Sequence, residues 1–245
     1  PNVFGPFLAL PGIYMLYRLL TVPLRKMPLY AIMLVIITGG LFLSFSRGAW
    51  GLYVIAAALL ILALLLQSTN GIFRLRVILM SGLAISLVIV GLLTMLQIPG
   101  TAEFLTERAR LVQSYDSGEG GRFDRYITGL KMAIEHPLGF GPLNFGRLLG
   151  EDTHNIWLKA LIDYGWLGFA SFVLLVAWTV AGGFRILLRD RPWQPYLLCS
   201  YVVFIGHLIA GSFIDMDHWR HFYALLGLIW GAMALETRHQ TMLRR

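Results

Sequence analysis

The chain has 245 residues, of which 57% are hydrophobic and only 13% are charged, and its formal net charge is +7. Its mean hydropathy of +0.69 is high for a soluble domain, and the hydrophobic residues come in long blocks. This composition predicts an all-α polytopic membrane protein. The single cysteine, Cys199, has no second cysteine to pair with, which excludes an intrachain disulfide.

Six apolar blocks are long enough to suggest membrane spans, since roughly 20 helical residues cross a bilayer. They are Leu29–Phe45, Ala49–Leu66, Val77–Ile98, Trp166–Phe184, Tyr196–Ile214 and Phe222–Leu235. A seventh block, Phe4–Leu20, contains Pro6 and Pro11, which neighbouring helices can accommodate. We therefore expect six to seven transmembrane helices. Because the chain opens on Pro1 without a signal sequence, we also expect further helices upstream in a longer protein.

The charged residues fall unequally on the two sides that alternating spans define. One side holds 11 of the 20 basic residues and two of the 13 acids, Asp190 and Glu236. The positive-inside rule makes that side cytoplasmic, including the basic C-terminal tail. The net charge is thus a topology signal that reflects contact with membrane lipids, and we expect no nucleic-acid partner.

The longest polar stretch, Pro99–Asn155, has 57 residues and faces outward in this topology. We divide the chain accordingly into spans at 1–98, an outer loop with short amphipathic helices at 99–155, and three spans with the basic tail at 156–245. Within the loop, Thr101–Tyr115 is patterned as an interfacial amphipathic helix or a solvated cap. A second helix is predicted from Arg122 to His136, ending before Pro137.

Two arginines, Arg122 and Arg125, fall in the first turn of that second helix. A helix start favours negative charge, so two guanidinium groups there suit a diphosphate or a sulfate. The alternative is a surface ion pair of Arg125 with Asp124 or Glu119.

The segment Asp152-Thr153-His154-Asn155 precedes the next apolar run. Asp152 or Thr153 is predicted to cap a helix that begins at His154. The helix dipole favours the neutral imidazole and the nearby acids favour the charged one, so His154 could accept a proton from a hydroxyl. The alternative is a structural histidine at the membrane interface.

Arg47 lies between two closely spaced apolar blocks, which places a charge next to hydrocarbon. Such charges usually have a partner or a function, although an arginine can also reach lipid phosphate. The stretch from Asp215 to His221 contains two acids and two histidines, but its pattern matches no familiar metal site. We expect no metal there, and interpret it as an interfacial belt or as support for the loop site through Asp217 and His218.

Three stretches of this chain resemble the O-antigen ligase family, a group that includes polysaccharide polymerases and O-oligosaccharyltransferases. They are Ser44-Phe-Ser-Arg-Gly-Ala-Trp50, then Gly121-Arg-Phe-Asp-Arg-Tyr126 with His136-Pro-Leu-Gly-Phe-Gly141, and His154-Asn-Ile-Trp-Leu158 with Asp163-Tyr-Gly-Trp-Leu-Gly168. The order of these stretches and the large loop before three final spans also match, and the chain resembles the C-terminal portion of a family member.

The resemblance implies a GT-C-like glycosyltransferase of the bacterial inner membrane with its active site facing the periplasm. The donor would be a glycan on undecaprenyl diphosphate, and the acceptor lipid A core, another glycan or a protein. Arg47 and Arg122 would hold the diphosphate, and His154 would position or deprotonate the acceptor hydroxyl. Spacing adds Arg125 to the diphosphate site, and Asp152 and Asn155 join Asp217 and His218 as supporting residues. The family chemistry implies no cofactor.

Three alternatives stay open from the sequence. A repeat-unit polymerase or O-oligosaccharyltransferase would share the donor and the arginines and differ in the acceptor. A lipid-linked glycan transporter would place its charges along the spans, whereas here they cluster at one face. A non-catalytic scaffold would tolerate substitution of Arg47, Arg122 or His154.

Overall fold

The structure is a computed structural model that describes residues 2–97 and 121–244, excluding the side chains of Leu92, Met95, Arg122 and Phe123. The described part of the chain contains helices and no β-strand. In chain order the helices are α1 (Phe4–Thr21), α2 (Met27–Phe42), α3 (Arg47–Gln67), α4 (Gly71–Leu96), α5 (Arg122–Glu135), α6 (Asn144–Leu149), α7 (Ile156–Ile186), α8 (Gln194–Gly211) and α9 (Arg220–Leu243).

Five of these helical segments are long and apolar enough to span a membrane. They are Leu24–Phe42, Arg47–Gln67, Gly71–Gly91, Ile156–Ile186 and Gln194–Gly211. The chain is therefore a polytopic α-helical membrane protein, which confirms the predicted fold class. The weak seventh block forms α1, a continuous helix despite Pro11. The helix expected at Thr101–Tyr115 lies outside the described residues.

The centre of the bundle is formed by α1, α3 and α8, with α9 packed against α7 and α8. Fully buried Leu52, Leu60, Phe204 and Phe222 supply much of its volume. Gly206 allows α8 to approach α3 closely, because a Cβ there would lie 3.0 Å from the Leu52 carbonyl oxygen. Apolar residues of α2 and α4 are largely exposed, as expected for helices that contact lipid.

Helix α7 is broken at Gly165, whose φ of 67° lies in the left-handed region. The break frees the carbonyl oxygens of Ile162 and Asp163, which accept hydrogen bonds from Phe140 N at 2.7 Å and Gly141 N at 3.0 Å. Gly139 lies opposite, and a Cβ on it would come within 2.6 Å of Gly165 N. The loop between α5 and α6 therefore crosses the helix at backbone contact, which only glycine permits.

The break divides α7 into two parts, one that can cross the bilayer and one that packs against α5 and α6. The segment from Trp166 onward can cross a bilayer by itself, since a crossing takes about 20 residues. The earlier part packs against α5 and α6 through Ala133, Phe145, Leu161 and Ile162, which form a second, smaller hydrophobic cluster. The residues before Gly165 thus belong to the layer that covers one end of the bundle.

Candidate active site

One end of the bundle collects the loops between helices, and we call it the site end: the start of α3, the start of α7 and the loop from Ser212 to Trp219. The start of α7 differs from the sequence prediction. The helix begins at Ile156, and its N-cap is Asn155, whose Oδ1 accepts from Trp157 N and Leu158 N at 3.0 Å each. The prediction that Asp152 or Thr153 caps a helix beginning at His154 was wrong.

The physical reason is Asp215, which takes the backbone N–H groups of the preceding segment. Its Oδ2 accepts from His154 N at 3.1 Å, and its Oδ1 accepts from Asn155 N at 2.9 Å. The Thr153 hydroxyl donates to the same Oδ1 at 3.1 Å. These bonds hold the segment in a turn, so the helix cannot start until one residue after Asn155.

His154 occupies a strained backbone conformation within this turn. Its φ of 51° is left-handed, which is unusual for a residue with a side chain and clusters at functional sites. Its Nδ1 lies 3.7 Å from Asp215 Oδ2, while 39% of the side chain is exposed. The arrangement holds one face of the imidazole against a carboxylate and leaves the rest open to a ligand.

Burial raises the pKa of the Asp215 carboxyl above its ordinary value, and electrostatic interactions with His154 and Lys159 oppose that rise. Asp215 is 6% exposed, so its charge acts on His154 through little solvent. A carboxylate that orients a histidine and stabilises its protonated form is the relation found in hydrolase triads. His154 is accordingly placed to accept a proton.

Helix α5 reaches the same turn through Tyr126. Its hydroxyl lies within hydrogen-bond distance of two carbonyl oxygens, those of His154 at 3.3 Å and Ser212 at 3.4 Å, and can donate its one hydrogen to either. Arg122 is the first residue of α5, one helical turn before Tyr126, and its side chain is outside the description. The first turn of α5 therefore lies beside the His154 turn.

Arg47 is the first residue of α3, where Ser46 is the N-cap. The next residue, Gly48, packs so closely on Ile214 that a Cβ would lie 2.3 Å from Ile214 Cδ1. Ile214 directly precedes Asp215. The structure therefore brings the Arg47 and His154 segments together at the site end.

Arg125 lies in α5 with only 7% of its side chain exposed, and it forms an ion pair with Glu151. Glu151 is itself 63% exposed, so the pair sits at the edge of the site with the carboxylate toward solvent. Glu151 was not among the partners considered from the sequence, Asp124 and Glu119, and Glu119 lies outside the described residues. Diphosphate binding by Arg125 would require exchange of this carboxylate for phosphate oxygens.

The four predicted supporting residues separate into two pairs. Asn155 caps α7 and donates through Nδ2 to the Ser212 carbonyl at 3.2 Å, and Asp152 lies 3.3 Å from Lys159 Nζ. Asp217 and His218 contact each other, with His218 Nδ1 at 3.2 Å from Asp217 Oδ1. The first pair belongs to the His154 turn. The second pair lies in the loop before α9, where the Tyr223 hydroxyl of α9 donates to the Asp217 carbonyl oxygen at 2.6 Å.

Sequence reasoning missed Asp215, Tyr126 and Lys159 as site residues. The acids and histidines from Asp215 to His221 do indicate a supporting role for this stretch. The local sequence does not, however, show that Asp215 contacts the His154 turn and Asp217 does not. Within residues 2–97 and 121–244, no group of three His, Cys, Asp or Glu side chains could hold a metal ion.

The helical bundle, the apolar spans and the polar cluster at one end define a polytopic membrane protein with a site beside the bilayer. Residues 32–173, more than half of the chain, match the O-antigen ligase family, so the chain belongs to that family. Its members are ligase-type or polymerase-type membrane glycosyltransferases. Neither the curated proteins nor the solved structures contain a match to the chain.

Proposed function

We propose that the chain transfers a glycan from an undecaprenyl-diphosphate donor to an acceptor hydroxyl at the periplasmic face of the bacterial inner membrane, as an O-antigen ligase. The observation that carries the proposal is the His154 turn. A strained, partly exposed histidine is held by a buried carboxylate, at the end of the bundle where Arg47 begins α3. We place residues 99–155 on the periplasmic side and the C-terminus in the cytoplasm, as the distribution of basic residues favours.

In the proposed reaction, the acceptor oxygen forms a bond to the anomeric carbon of the donor sugar. The bond from that carbon to the diphosphate oxygen breaks, and its electron pair leaves with undecaprenyl diphosphate. The acceptor proton passes to the His154 imidazole, whose positive charge Asp215 then stabilises. Arg47 and Arg122 bind the diphosphate, since charge accumulates there in the transition state.

Arg125 has a conditional place in this scheme. The Glu151 carboxylate neutralises the Arg125 guanidinium in their ion pair. Arg125 therefore binds the donor diphosphate only after the diphosphate replaces that carboxylate. Asp152 and Asn155 hold the His154 turn from both sides.

The test uses purified protein in proteoliposomes with a lipid-linked glycan donor and a lipid A core acceptor. We expect His154→Ala and Arg122→Ala to lower the transfer rate by roughly 100-fold or more. Arg47→Lys should also be impaired, because an ammonium cannot replace a bidentate guanidinium. Exposed Arg147→Ala in α6 and His239→Ala near the C-terminal end of α9 are matched controls that should transfer normally.

Normal transfer by both His154→Ala and Arg122→Ala would reject the assigned roles. Product analysis decides the acceptor: a single glycan joined to lipid A core supports the ligase, and growth of the donor glycan without that product would overturn it in favour of a polymerase.

A further inference from the structure

Lys159 is a buried lysine whose position the proposed reaction does not yet explain. Only 4% of its side chain is exposed, and its Nζ lies 3.3 Å from Asp152 Oδ1 and 3.3 Å from Asp163 Oδ2. The Asp163 side chain is 1% exposed. Removing an ammonium and a carboxylate from water costs several kcal/mol for each ion, so this arrangement needs a compensating reason.

Packing stability does not supply that reason. Among the described residues, Lys159 Nζ and both Asp163 carboxylate oxygens have no hydrogen-bond partner, so the contacts are ionic without good hydrogen-bond geometry. One ammonium also faces two carboxylates, which leaves a net negative charge. Apolar residues of similar size are often at least as stable in such places, whereas imperfectly satisfied buried groups are typical of functional sites.

The lysine is linked to the His154 turn by position and by charge. Asp152 lies two residues before His154, and the Lys159 N–H donates to the Asn155 carbonyl at 2.8 Å. The ammonium also counteracts the rise that burial causes in the pKa of Asp215, the residue that orients His154. Lys159 therefore interacts with Asp152, which precedes His154 in the chain, and with Asp215, which contacts the His154 ring.

We propose that Lys159 is a positioning residue for glycan transfer: its ammonium, anchored by Asp163, holds Asp152 and fixes the His154 turn in its active arrangement. This inference rests on the proposed function, because it assigns a role in the same site. Lys159 touches no reacting atom. It also supplies a fixed positive charge among several acids, and a positive charge opposes protonation of a neighbouring imidazole.

Charged residues lie on each of the elements packed around His154, and Asp215 is the one in direct contact with its ring. They are Glu151 and Asp152 in its own segment, Lys159 and Asp163 on α7, Asp215 and Asp217 in the loop before α9, Arg125 on α5, and Arg47 on α3. Substituting Lys159 and substituting Asp163 change this set by one charge in opposite directions.

The experiment compares Lys159→Met, Lys159→Arg and Asp163→Asn in the proteoliposome assay. We expect Lys159→Met to lower kcat by roughly 10- to 100-fold with little change in KM for the donor, because positioning of His154 is lost and donor binding is not. Lys159→Arg should retain more activity, since it keeps the charge. Exposed Lys131→Met is the matched control and should transfer like the wild type.

The pH dependence of kcat separates positioning from a merely structural role. The quantity to compare is the pH at which kcat falls on the acid side, where His154 becomes protonated. Loss of a positive charge in Lys159→Met should move that fall to higher pH by roughly half a unit, and loss of a negative charge in Asp163→Asn should move it to lower pH by a similar amount. Shifts in the same direction, no shift, or wild-type kcat in Lys159→Met would each overturn the proposal. If Lys159→Met does not insert, the shift to lower pH in Asp163→Asn and the activity retained by Lys159→Arg decide.

The outcomes also distinguish this inference from the proposed function. If the wild type transfers glycan and His154→Ala does not, normal kinetics in Lys159→Met reject the positioning role alone. If the wild type transfers no glycan, the proposed function fails first, and the positioning role fails with it.

Discussion

The Asp215 carboxylate accepts the backbone N–H of His154 at 3.1 Å and lies 3.7 Å from its imidazole Nδ1. One buried side chain thus fixes both the main chain and the ring of the proposed base. The two residues are far apart in the sequence, and the contact joins the start of α7 to the loop before α9. The site exists because those two segments meet.

Replacing Asp215 should therefore impair transfer more than it impairs folding. Asp215→Ala removes the carboxylate that accepts from Thr153, His154 and Asn155, and we expect transfer rates to fall by roughly 100-fold, as for displaced catalytic groups. Asp215→Asn keeps an acceptor oxygen and loses the charge, so its rate should be intermediate. Initial rates in proteoliposomes measure both, and Asp190→Asn at an exposed position is the control. Equal rates in all three variants would contradict this role.

Protonation of Asp215 should lower transfer but stabilise the fold as the pH falls. Because burial raises the pKa of its carboxyl, Asp215 becomes neutral at a higher pH than an exposed aspartate does. Between the ordinary and the raised pKa the folded chain binds more protons than the unfolded chain, so this group alone makes folding more favourable as the pH falls. We expect transfer to decline there without unfolding, as shown by rates and melting temperatures measured together. Asp215→Asn should lack that component of the decline.

Two substitutions of Asn155 separate the effect of this residue on stability from its effect on transfer. Asn155→Ala loses the cap of α7, which should cost about 1 kcal/mol of unfolding free energy, and it also loses the bond to Ser212. Asn155→Asp retains a capping oxygen but adds a negative charge beside Asp215. We expect the melting temperature to fall in Asn155→Ala more than in Asn155→Asp, and transfer to fall in both. Full transfer in Asn155→Asp would contradict the electrostatic argument.

The elements that local patterns determine were predictable from the sequence. Five of the seven hydrophobic blocks fall in helical segments that are long and apolar enough to span a membrane, and the other two form α1 and α9, which are not among those five. Helical spacing with Pro137 predicted the second loop helix, which the structure shows as Arg122–Glu135. The cap of α7 was not predictable, because Asp152, Thr153 and Asn155 are all capping residue types. The choice is made by Asp215, 60 residues beyond Asn155, which occupies the competing N–H groups.

The same limit applies to the rest of the site. Sequence spacing grouped Arg122 with Arg125, but it did not predict that Arg125 is buried and forms an ion pair with Glu151. The sequence does not distinguish the pair Lys159 and Asp163 from an exposed ion pair, since i, i+4 pairs of opposite charge are common on exposed helix faces. Only the fold shows that this pair is buried, because the loop between α5 and α6 covers the helix there.

The Gly139–Gly165 crossing should be intolerant of any side chain. Gly165→Ala would force a strained left-handed alanine and place its Cβ 2.4 Å from the Pro137 carbonyl oxygen. We expect a loss of about 2 kcal/mol or more in unfolding free energy, measured as a lower melting temperature in detergent. Gly227→Ala is the matched control: it lies within α9 with open space around its Cβ, so it should be neutral or slightly stabilising. Equal melting temperatures would contradict the crossing.

The ion pair of Arg125 with Glu151 makes a prediction about donor affinity. Glu151→Gln removes the competing carboxylate, so an Arg125 that binds diphosphate should do so more readily, and KM for the donor should fall several-fold. Arg125→Ala should raise KM in the same assay. Steady-state kinetics at varied donor concentration measure both. If Glu151→Gln instead raises KM, Arg125 is a structural partner of Glu151 and leaves the diphosphate site.

The contact between Gly48 and Ile214 should couple the two halves of the site. A Cβ on Gly48 would overlap Ile214, so Gly48→Ala should displace the residue before Asp215 and lower transfer. Ile214→Val shortens the side chain at the point of overlap, so the double variant should regain much of the lost rate. A double-mutant cycle on kcat measures this coupling, since contacting residues deviate from additivity. Gly51→Ala, one turn into α3 with open space around its Cβ, is the control. Additive effects of Gly48→Ala and Ile214→Val would show that Arg47 and Asp215 do not share one site.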